Sequence, residues 1–476
     1  MNTYPLYLNG QFVTSEPAKA VVNPATGETF ARVSTTDRAR LAAALEDAHA
    51  AFLAWRRHTG KARGALLQKI ADQVECRRDE IARTITLENG KPLAQSVAEV
   101  GMTVDHFRWF AEEARRAYGR VVPNQVDGKR HLVIKSPMGV VGAISPWNFP
   151  LVLAVRKIAP ALAAGCTVVL KPATQTPVCA LLLAECAHAA GLPPGVLQVV
   201  VGPSSEFGEE LLSNPRCRKI TFTGSTEVGR MLIRGAAPFV KPLSLELGGH
   251  APVLVFADAD LDAAVEGAII AKFRNTGQSC IAANRVLVER PVYKRFLEAF
   301  VEKARALKVG DGLEPGVDIG PLIDEAGVAK AEAHVQDAVA RGARLLCGGS
   351  RVPGRRGFFI EPTVLADVPA GSACMVEETF APVAPVCAFD AEEEALAQAN
   401  ASVYGLSAYA FTGSLDRAFR LMEGLEAGTI GINDSVPATS QCPFGGMKQS
   451  GWGRELGVEG LDAFLETKHV SIGIRA

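Results

Sequence analysis

The sequence shows almost no charge imbalance and no grouping of metal-binding residues. Its 50 basic and 51 acidic residues leave a formal net charge of −1 at pH 7, so no general attraction to nucleic acid or to an anionic membrane follows. The ten cysteines are scattered without a Cys-x-x-Cys pair, and no His-x-x-x-His occurs. Neither a disulfide framework nor a zinc site is therefore predicted, and we expect no metal.

Long apolar runs and targeting signals are missing as well. No uninterrupted apolar run approaches the ~20 residues that a membrane span needs. The start, from Met1 to Tyr7, lacks the basic segment and the apolar core of a secretory signal. We expect a cytoplasmic protein with neither a membrane nor a nucleic-acid partner. Its 476 residues suffice for two or three domains.

A helical region dominates the first quarter of the chain. Short strands and turns are predicted for residues 5–35. From about Asp37 to Tyr118, Ala, Leu, Arg and Glu dominate, and apolar residues recur at spacings of three and four. Gly90-Lys91-Pro92 interrupts this stretch. We expect these helices to provide packing surface and to have no chemical role.

The remainder alternates between strand-like and helical segments, which favours parallel sheets covered on both faces and hence an α/β fold. The first alternation has predicted strands at 131–135, 140–144, 167–170, 197–201, 219–222 and 252–256, with helices such as 177–190 and 226–235 between them. The second runs from Arg285 to about Asn433, with strands that include 343–347, 383–389, 406–411 and 429–432. The tail from Lys468 to Arg475 is predicted to be a strand outside both units, available to pair with another subunit.

Phosphate-binding signals are weak. No Gly-x-Gly-x-x-Gly follows a strand, and the segment from Gly451 to Gly457 has the wrong spacing. Phe222-Thr-Gly-Ser225 lies between a strand and a helix, but Arg230-Met231 stand where a P-loop needs Lys and Ser/Thr. Its backbone N–H groups at a helix start form an anion site by geometry. Taken alone, the segment is better explained as a capped turn.

Four side chains in this order indicate chemistry. Cys280 lies on a turn between a helix and a strand, where a thiol is both held and reachable. Asn148 follows a strand between two prolines, and its amide can donate to an oxyanion. Lys171 ends the next strand, and Glu246 lies among apolar neighbours that raise a carboxyl pKa. Each alone has a structural explanation: a buried thiol, a turn asparagine, a surface lysine or a solvated glutamate.

Together these segments resemble the NAD(P)-dependent aldehyde dehydrogenase superfamily over essentially the whole chain. Within that family, segments 155–158 and 272–275 resemble most the succinate-semialdehyde dehydrogenases. The matching motifs are Pro146-Trp-Asn-Phe-Pro150, Phe222-Thr-Gly-Ser225, Leu245-Glu-Leu-Gly-Gly249, Gly277-Gln-Ser-Cys280, Glu377-Glu-Thr-Phe380, Pro443-Phe-Gly-Gly446 and Ser450-Gly-Trp-Gly-Arg454.

The resemblance implies an architecture of two doubly wound parallel-sheet domains and a small β oligomerisation element. It assigns residues 1–118 and 141–246 to a dinucleotide-binding domain and 247–445 to a catalytic domain. Residues 119–140 and 446–476 are assigned to the oligomerisation element. A homodimer or a homotetramer is implied.

The resemblance also implies the catalytic roles. Cys280 attacks the aldehyde, Asn148 and the Cys280 N–H hold the oxyanion, and Glu246 activates the water that hydrolyses the thioester. Lys171 is counted with these catalytic residues. The implied cofactor contacts are Ile144, Pro146, Trp147, Asn148, Lys171, Thr174, Gly202, Phe222, Gly224, Ser225, Leu247, Glu378 and Phe380.

Three positions depart from the family pattern. Thr174 replaces the glutamate common in strict NAD enzymes, so the cofactor is NADP or NAD, with NADP predicted to be accepted and preferred. Ala282 stands where some relatives carry a second cysteine, so a disulfide to Cys280 from that position is unavailable. Ala381 replaces the usual glycine and is predicted to tighten the ribose pocket.

The predicted substrate is a small aldehyde with a distal carboxylate, with succinate semialdehyde as the best guess. Arg156 and Arg274 are predicted to bind that carboxylate, and Thr439 and Ser440 to add a hydroxyl donor. Glutarate semialdehyde, 2-oxoglutarate semialdehyde and an uncharged aldehyde are alternatives. A CoA-acylating enzyme is disfavoured because such members tend to lack the glutamate found here as Glu246. A non-catalytic binding protein is disfavoured because the motif residues are intact.

Overall fold

The computed structural model describes residues 2–474 and confirms the α/β fold. One open sheet has eight strands, of which the five central ones are parallel and the outer ones antiparallel. In spatial order its strands are Gly451–Trp452, Leu243–Glu246, Cys217–Thr223, Val140–Ile144, Thr167–Lys171, Leu197–Val199, Leu6–Leu8 and Gln11–Val13.

A second sheet has seven strands, all parallel to their neighbours except the first, which is an antiparallel edge strand. In spatial order they are Arg344–Cys347, Thr363–Ala366, Val383–Phe389, Ala283–Glu289, Ala251–Val255, Ser407–Phe411 and Thr429–Ile432. The predicted strand 252–256 therefore belongs to this second sheet. Its position follows from the chain crossing between the two sheets just after Glu246.

The helices start where polar caps precede apolar-periodic segments. Asp37, Thr59 and Ser225 each accept a backbone N–H in the first turn of the helix that follows. The α-helices are Arg38–Trp55, Gly60–Cys76, Arg78–Asn89, Leu93–Glu113, Val152–Ala164, Val178–Ala189, Ser204–Ser213, Thr226–Ala236, Leu261–Phe273, Arg290–Ala306, Glu325–Ala340, Ala373–Val376, Glu392–Asn400, Leu415–Gly424 and Gly457–Asp462. No helix among residues 2–474 is both long and apolar enough to cross a membrane.

Three smaller sheets complete the fold. The predicted strand 131–135 and the C-terminal strand lie in one of them, in the order Leu465–Gly473, Lys129–Pro137, Arg120–Val122. Arg475 of the predicted tail lies outside the described residues. The other two comprise Asn2–Tyr4, Glu28–Ser34 and Ala18–Asn23, and the pair Tyr404–Gly405 with Met447–Lys448.

Residues 446–452 do not join the C-terminal strand in that sheet, although the domain boundaries derived from the sequence group them together. Met447–Lys448 pairs with Tyr404–Gly405, and Gly451–Trp452 extends the eight-stranded sheet beside Leu243–Glu246. The physical reason is the close approach at Gly451, where an added Cβ would lie 1.9 Å from the carbonyl oxygen of Leu245. The segment thus covers the edge strand that ends in Glu246.

Candidate active site

Most of the residues predicted to bind the cofactor lie at one edge of the eight-stranded sheet. Its five parallel strands end at Ile144, Lys171, Val199, Thr223 and Glu246, and the carboxyl ends of parallel strands share an edge. The loops that follow carry Pro146, Trp147, Thr174, Gly202, Gly224, Ser225 and Leu247. The sheet therefore gathers residues that are distant in the sequence around one crevice.

One end of this crevice is basic and polar. Lys171 is buried, and within residues 2–474 its ammonium has only the carbonyl oxygen of Pro172, at 3.5 Å, as a partner. Burial, and then the charge of Lys19, lowers the pKa of Lys171 to about 8. An open cavity of about 330 Å³ beside it is lined by Lys19, Thr174, Gly202 and Ser204, among others. A buried donor without an anion partner next to such a cavity fits ribose hydroxyls or a phosphate.

The other end of the crevice holds an aromatic pair and a carboxylate. Trp147 and Phe380 pack edge to face with their ring centroids 5.4 Å apart. Glu378 accepts a hydrogen bond from the Gly249 N–H at 2.9 Å, and burial raises its pKa to about 7. The prediction for Ala381 was wrong: its side chain is fully buried in an apolar core cluster with Val383. It therefore packs inward and does not narrow the crevice.

Cys280 lies on a strained turn at the amino end of the strand Ala283–Glu289. Asn275 and Thr276 have φ angles of 51° and 59°, and Gly277 has 72°. A Cβ at Gly277 would lie 2.3 Å from the carbonyl oxygen of Ala381, so only glycine fits. Burial, and then the charge of Glu378, raises the pKa of the Cys280 thiol to about 12. The thiol is therefore protonated at neutral pH until a base removes its proton.

Asn148 is nine-tenths or more buried, and its amide lies beside the cysteine turn. Its Nδ2 donates to the carbonyl oxygen of Gln278 at 3.1 Å. Its own carbonyl oxygen accepts from Asn275 Nδ2 at 2.9 Å, and Asn275 Nδ2 also lies 3.1 Å from the Gln278 oxygen. The Asn148 loop and the turn that carries Cys280 are thus joined by hydrogen bonds on both sides.

Glu246 is buried, and its Oε2 has no hydrogen-bond partner in the part of the chain that the structure describes. Burial, and then the charge of Glu455, raises its pKa well above the ordinary value. Beside it, Lys157 forms a buried ion pair with Glu455 and donates to the Thr223 hydroxyl. The predicted base therefore has the raised pKa that the sequence indicated, together with a buried polar chain that the sequence did not indicate.

Arg156 and Arg274 make no salt bridge within residues 2–474. Arg156 is 7% exposed, its Nε has no partner, and its guanidinium lies 4.6 Å from the ring centroid of Phe444. Arg274 lies 5.6 Å from the ring centroid of Phe149, and burial lowers its pKa. The Arg156 charge acts on Cys280 and on Glu246. Arg156 therefore lies near the thiol, and neither arginine forms an ion pair within residues 2–474.

Thr439 and Ser440 occupy the loop before Phe444 but point to a neighbour within that loop. The Thr439 hydroxyl donates to Gln441 Oε1 at 2.6 Å, and the Ser440 hydroxyl lies 3.4 Å from the same oxygen. Ala438, just before them, packs against the apolar cluster that Cys280 also contacts. The loop borders the site, while its two hydroxyls are engaged with Gln441.

Comparison with known proteins decides the family. Residues 12–470 match the model of the aldehyde dehydrogenase family. The chain belongs to the aldehyde dehydrogenase family. It is 48% identical over 469 residues to the NADP(+) succinate-semialdehyde dehydrogenase of Escherichia coli (strain K12), covering 98% of this chain and 97% of that protein.

Two further relatives of this aldehyde dehydrogenase are nearly as similar. The glutarate-semialdehyde dehydrogenase of Pseudomonas putida (strain KT2440) is 47% identical over 470 residues, which are 98% of this chain and 97% of that protein. A crystal structure of an Escherichia coli NADP-dependent enzyme superposes with a TM-score of 0.98 at 47% identity, covering 99% of this chain and 98% of that one. The family resemblance inferred from the motifs is confirmed.

Several residues at the site of this family member were not predicted from the sequence. Two side chains from the first quarter of the chain, where packing surface was expected, contact the loop that carries Asn148. Asn89 donates to the carbonyl oxygen of Trp147 at 3.1 Å, and Lys91 donates to that of Asn148 at 2.7 Å. Lys157 and Glu455 were also missed. The one available signal was Lys91 in Gly90-Lys91-Pro92, where a charged residue stands in a tight break between helices.

Proposed function

We propose that this aldehyde dehydrogenase oxidises a semialdehyde with a distal carboxylate, succinate semialdehyde being the favoured substrate. The observation that carries the proposal is a pair of arginines, the buried Arg156 and the partly buried Arg274, which form no ion pair with a carboxylate within residues 2–474. Buried charges are ordinarily paired. A substrate carboxylate supplies the missing partner, because guanidinium can bind it bidentately.

The chemistry assigned to the chain's own residues has two stages. Cys280 gives up its proton to water, and its thiolate adds to the aldehyde carbon, giving a thiohemiacetal whose oxyanion is held by Asn148 Nδ2 and the Cys280 N–H. The dinucleotide, when bound, supplies the acceptor for the hydride of that carbon. The acyl group left on Cys280 is a thioester. Glu246 then deprotonates a water molecule, which attacks the acyl carbon, and the sulfur leaves as thiolate with release of the acid.

The electrostatics support Glu246 as the base of the hydrolysis stage. No hydrogen-bond donor among residues 2–474 contacts Glu246 Oε2, so this oxygen can accept a proton. Burial raises the pKa of Glu246 well above its ordinary value, as suits a general base. The Lys157–Glu455 ion pair forms a buried polar chain beside Glu246, close enough for both charges to act on it. We propose that this chain helps the proton leave the site.

The dinucleotide is proposed to lie along the carboxyl edge of the eight-stranded sheet. Lys171, with its nearly unpartnered ammonium, and Thr174 would hold the adenosine ribose. Glu378 and Phe380 would hold the nicotinamide ribose. The remaining contacts proposed are Ile144, Pro146, Trp147, Gly202, Phe222, Gly224, Ser225 and Leu247.

A substrate panel tests the proposed class. We expect kcat/KM for succinate semialdehyde to exceed that for butanal by roughly 10–100-fold, since one charge-assisted hydrogen bond contributes ~1.5–3 kcal/mol. The measurement compares C2–C8 aldehydes with and without a terminal carboxylate, and it includes glutarate and 2-oxoglutarate semialdehydes. Equal kcat/KM for charged and uncharged aldehydes would refute the class. Release of acyl-CoA in place of free acid would favour the CoA-acylating alternative.

The cofactor preference gives a second prediction. Thr174 carries no charge, and Lys171 and Lys19 make this end of the crevice positive, which suits a 2′-phosphate. We expect NADP(+) to be preferred, and Thr174→Glu to shift the NADP/NAD ratio of kcat/KM toward NAD by roughly 10–100-fold, because the new carboxylate repels the phosphate. Gln175→Glu is the matched control, since Gln175 is exposed and gains the same charge one residue away.

A strong wild-type preference for NAD would contradict the role given to Thr174. So would an equal shift in the Gln175→Glu control, because it would show that added charge anywhere near the crevice suffices.

We also propose that the protein is a cytoplasmic homodimer or homotetramer. The sheet formed by Arg120–Val122, Lys129–Pro137 and Leu465–Gly473 exposes an apolar face. Its exposed apolar side chains are Val121, Ile134, Val470 and Ile472. Such a face supports association of subunits, because burying it removes apolar surface from water.

A further inference from the structure

Lys91 is fully buried at the break between the helices Arg78–Asn89 and Leu93–Glu113. Its ammonium donates to Glu99 Oε2 at 2.7 Å and to the carbonyl oxygen of Asn148 at 2.7 Å. It also lies 3.8 Å from the ring centroid of Phe149. The Lys91 ammonium therefore contacts its ion-pair partner Glu99, the backbone of Asn148 and the ring of Phe149.

Glu99 extends the same contact to the next residues of the loop. It is fully buried, and its Oε1 accepts from the Leu151 N–H at 3.0 Å and from the Val152 N–H at 3.2 Å. These N–H groups open the helix Val152–Ala164, which has no side-chain cap of its own. The pair thus binds the loop at the carbonyl of Asn148 and at the helix start that follows.

Stability alone does not account for such a pair. Two fully buried charges are costly to desolvate, and well-packed apolar residues of similar volume are often as stabilising. Glu88 is a useful comparison within the chain. It caps the helix Val178–Ala189 by accepting from the Val178 and Cys179 N–H groups, and it does so without a lysine. Glu88 thus shows that a buried carboxylate can cap a helix without a paired lysine. The distinct contact that Lys91 adds is its hydrogen bond to the Asn148 carbonyl oxygen.

We propose that Lys91 and Glu99 are positioning residues that hold Asn148 in the geometry of an oxyanion donor. Lys91 and Asn275 Nδ2 fix the Asn148 carbonyl from two sides, and the Asn148 amide is set by the Gln278 oxygen. The side chain then projects from a backbone that cannot rotate without breaking a charged hydrogen bond. This inference rests on the oxyanion role proposed above for Asn148.

A double-mutant cycle with the full-length enzyme and saturating NADP(+) tests the proposal. The double variant Lys91→Met/Glu99→Gln removes both charges, so neither is left buried and unpaired. We expect it to lower the single-turnover rate of cofactor reduction by roughly 10–100-fold, because a misplaced donor loses transition-state stabilisation. The KM for the aldehyde and the Kd for NADP(+) should change by no more than about twofold.

The decisive comparison is made in an Asn148→Ala background. There the same two substitutions should lower the rate by less than about twofold, since residues that act through one group are not additive. An equal loss in both backgrounds, or no loss in either, would overturn the positioning role. If Asn148→Ala itself retains the full rate, the oxyanion assignment fails, which is a separate result from additivity.

Two further variants provide a control and an alternative for this test. Glu88→Gln is the matched control, because it alters a buried helix-capping carboxylate that does not contact Asn148. It should lower Tm and leave the single-turnover rate within about twofold. If the double variant does not fold, the near-isosteric Glu99→Gln tests the same pair, and a rate equal to that of Glu88→Gln would overturn the proposal.

Discussion

Cys280→Ala is expected to abolish cofactor reduction with every aldehyde, by on the order of 10⁴-fold or more, since removing a covalent nucleophile removes the reaction path itself. The variant should still bind NADP(+) and keep its Tm, because alanine fills most of the space of the thiol. Steady-state absorbance of the reduced cofactor measures the loss. Cys76→Ala is the matched control, because Cys76 is exposed at a helix end and should retain full activity.

Glu246→Gln is expected to fail at a different step. If Glu246 acts mainly on the water of hydrolysis, the variant still reduces up to one equivalent of cofactor per active site and then stalls as the acyl-enzyme. Stopped-flow absorbance gives the burst, and intact-protein mass gives the acyl group on Cys280. In the wild type, the hydrolysis rate should rise with pH, because burial holds the pKa of Glu246 well above its usual range. That dependence should disappear with glutamine.

Full steady-state turnover by Glu246→Gln would refute its role in hydrolysis. A variant with no burst at all would show instead that Glu246 is indispensable for deprotonating Cys280, whose own pKa is about 12 in this site.

Arg156→Ala and Arg274→Ala should each lower kcat/KM for succinate semialdehyde by roughly 10–100-fold, the value of one charge-assisted hydrogen bond. Butanal and hexanal should lose much less, because they place no charge beside the guanidinium; the Arg156 charge also acts on Cys280 and Glu246, which affects all aldehydes equally. Each variant is therefore its own control. Arg156→Lys should recover part of the loss, since it keeps the charge without the paired donors of guanidinium.

Equal losses on charged and uncharged aldehydes would show that the arginines serve the fold. The contacts of Arg156 with Phe444 and of Arg274 with Phe149 make this a real alternative. Comparing Tm among the variants separates it from substrate binding, because a structural arginine should lower Tm together with all activities.

The sequence alone determined the α/β class, placed Cys280 on a turn and Asn148 after a strand, and carried the motifs that resemble the family. Local chemistry was sufficient for these features. Apolar strands alternate with capped helices, and loops at the carboxyl ends of parallel strands must lie at one edge of a sheet. The turn before Cys280 was also predicted, because Gly277 interrupts the chain between a helical and a strand-like segment.

Only the tertiary structure decided which distant side chains meet. Lys157 and Glu455 are 298 positions apart in the chain, and Lys91 and Asn148 are 57 apart. No periodicity or spacing encodes such contacts. The strand Gly451–Trp452 was likewise unpredicted, because it is too short for a period of two to be visible and gains its stability from the sheet it joins. Leu6–Leu8 lies in the region predicted to form short strands, but its place in the eight-stranded sheet was not predicted. A buried charge finds its partner through the packing of whole elements, so the supports of Asn148 and Glu246 emerged only once the fold was complete.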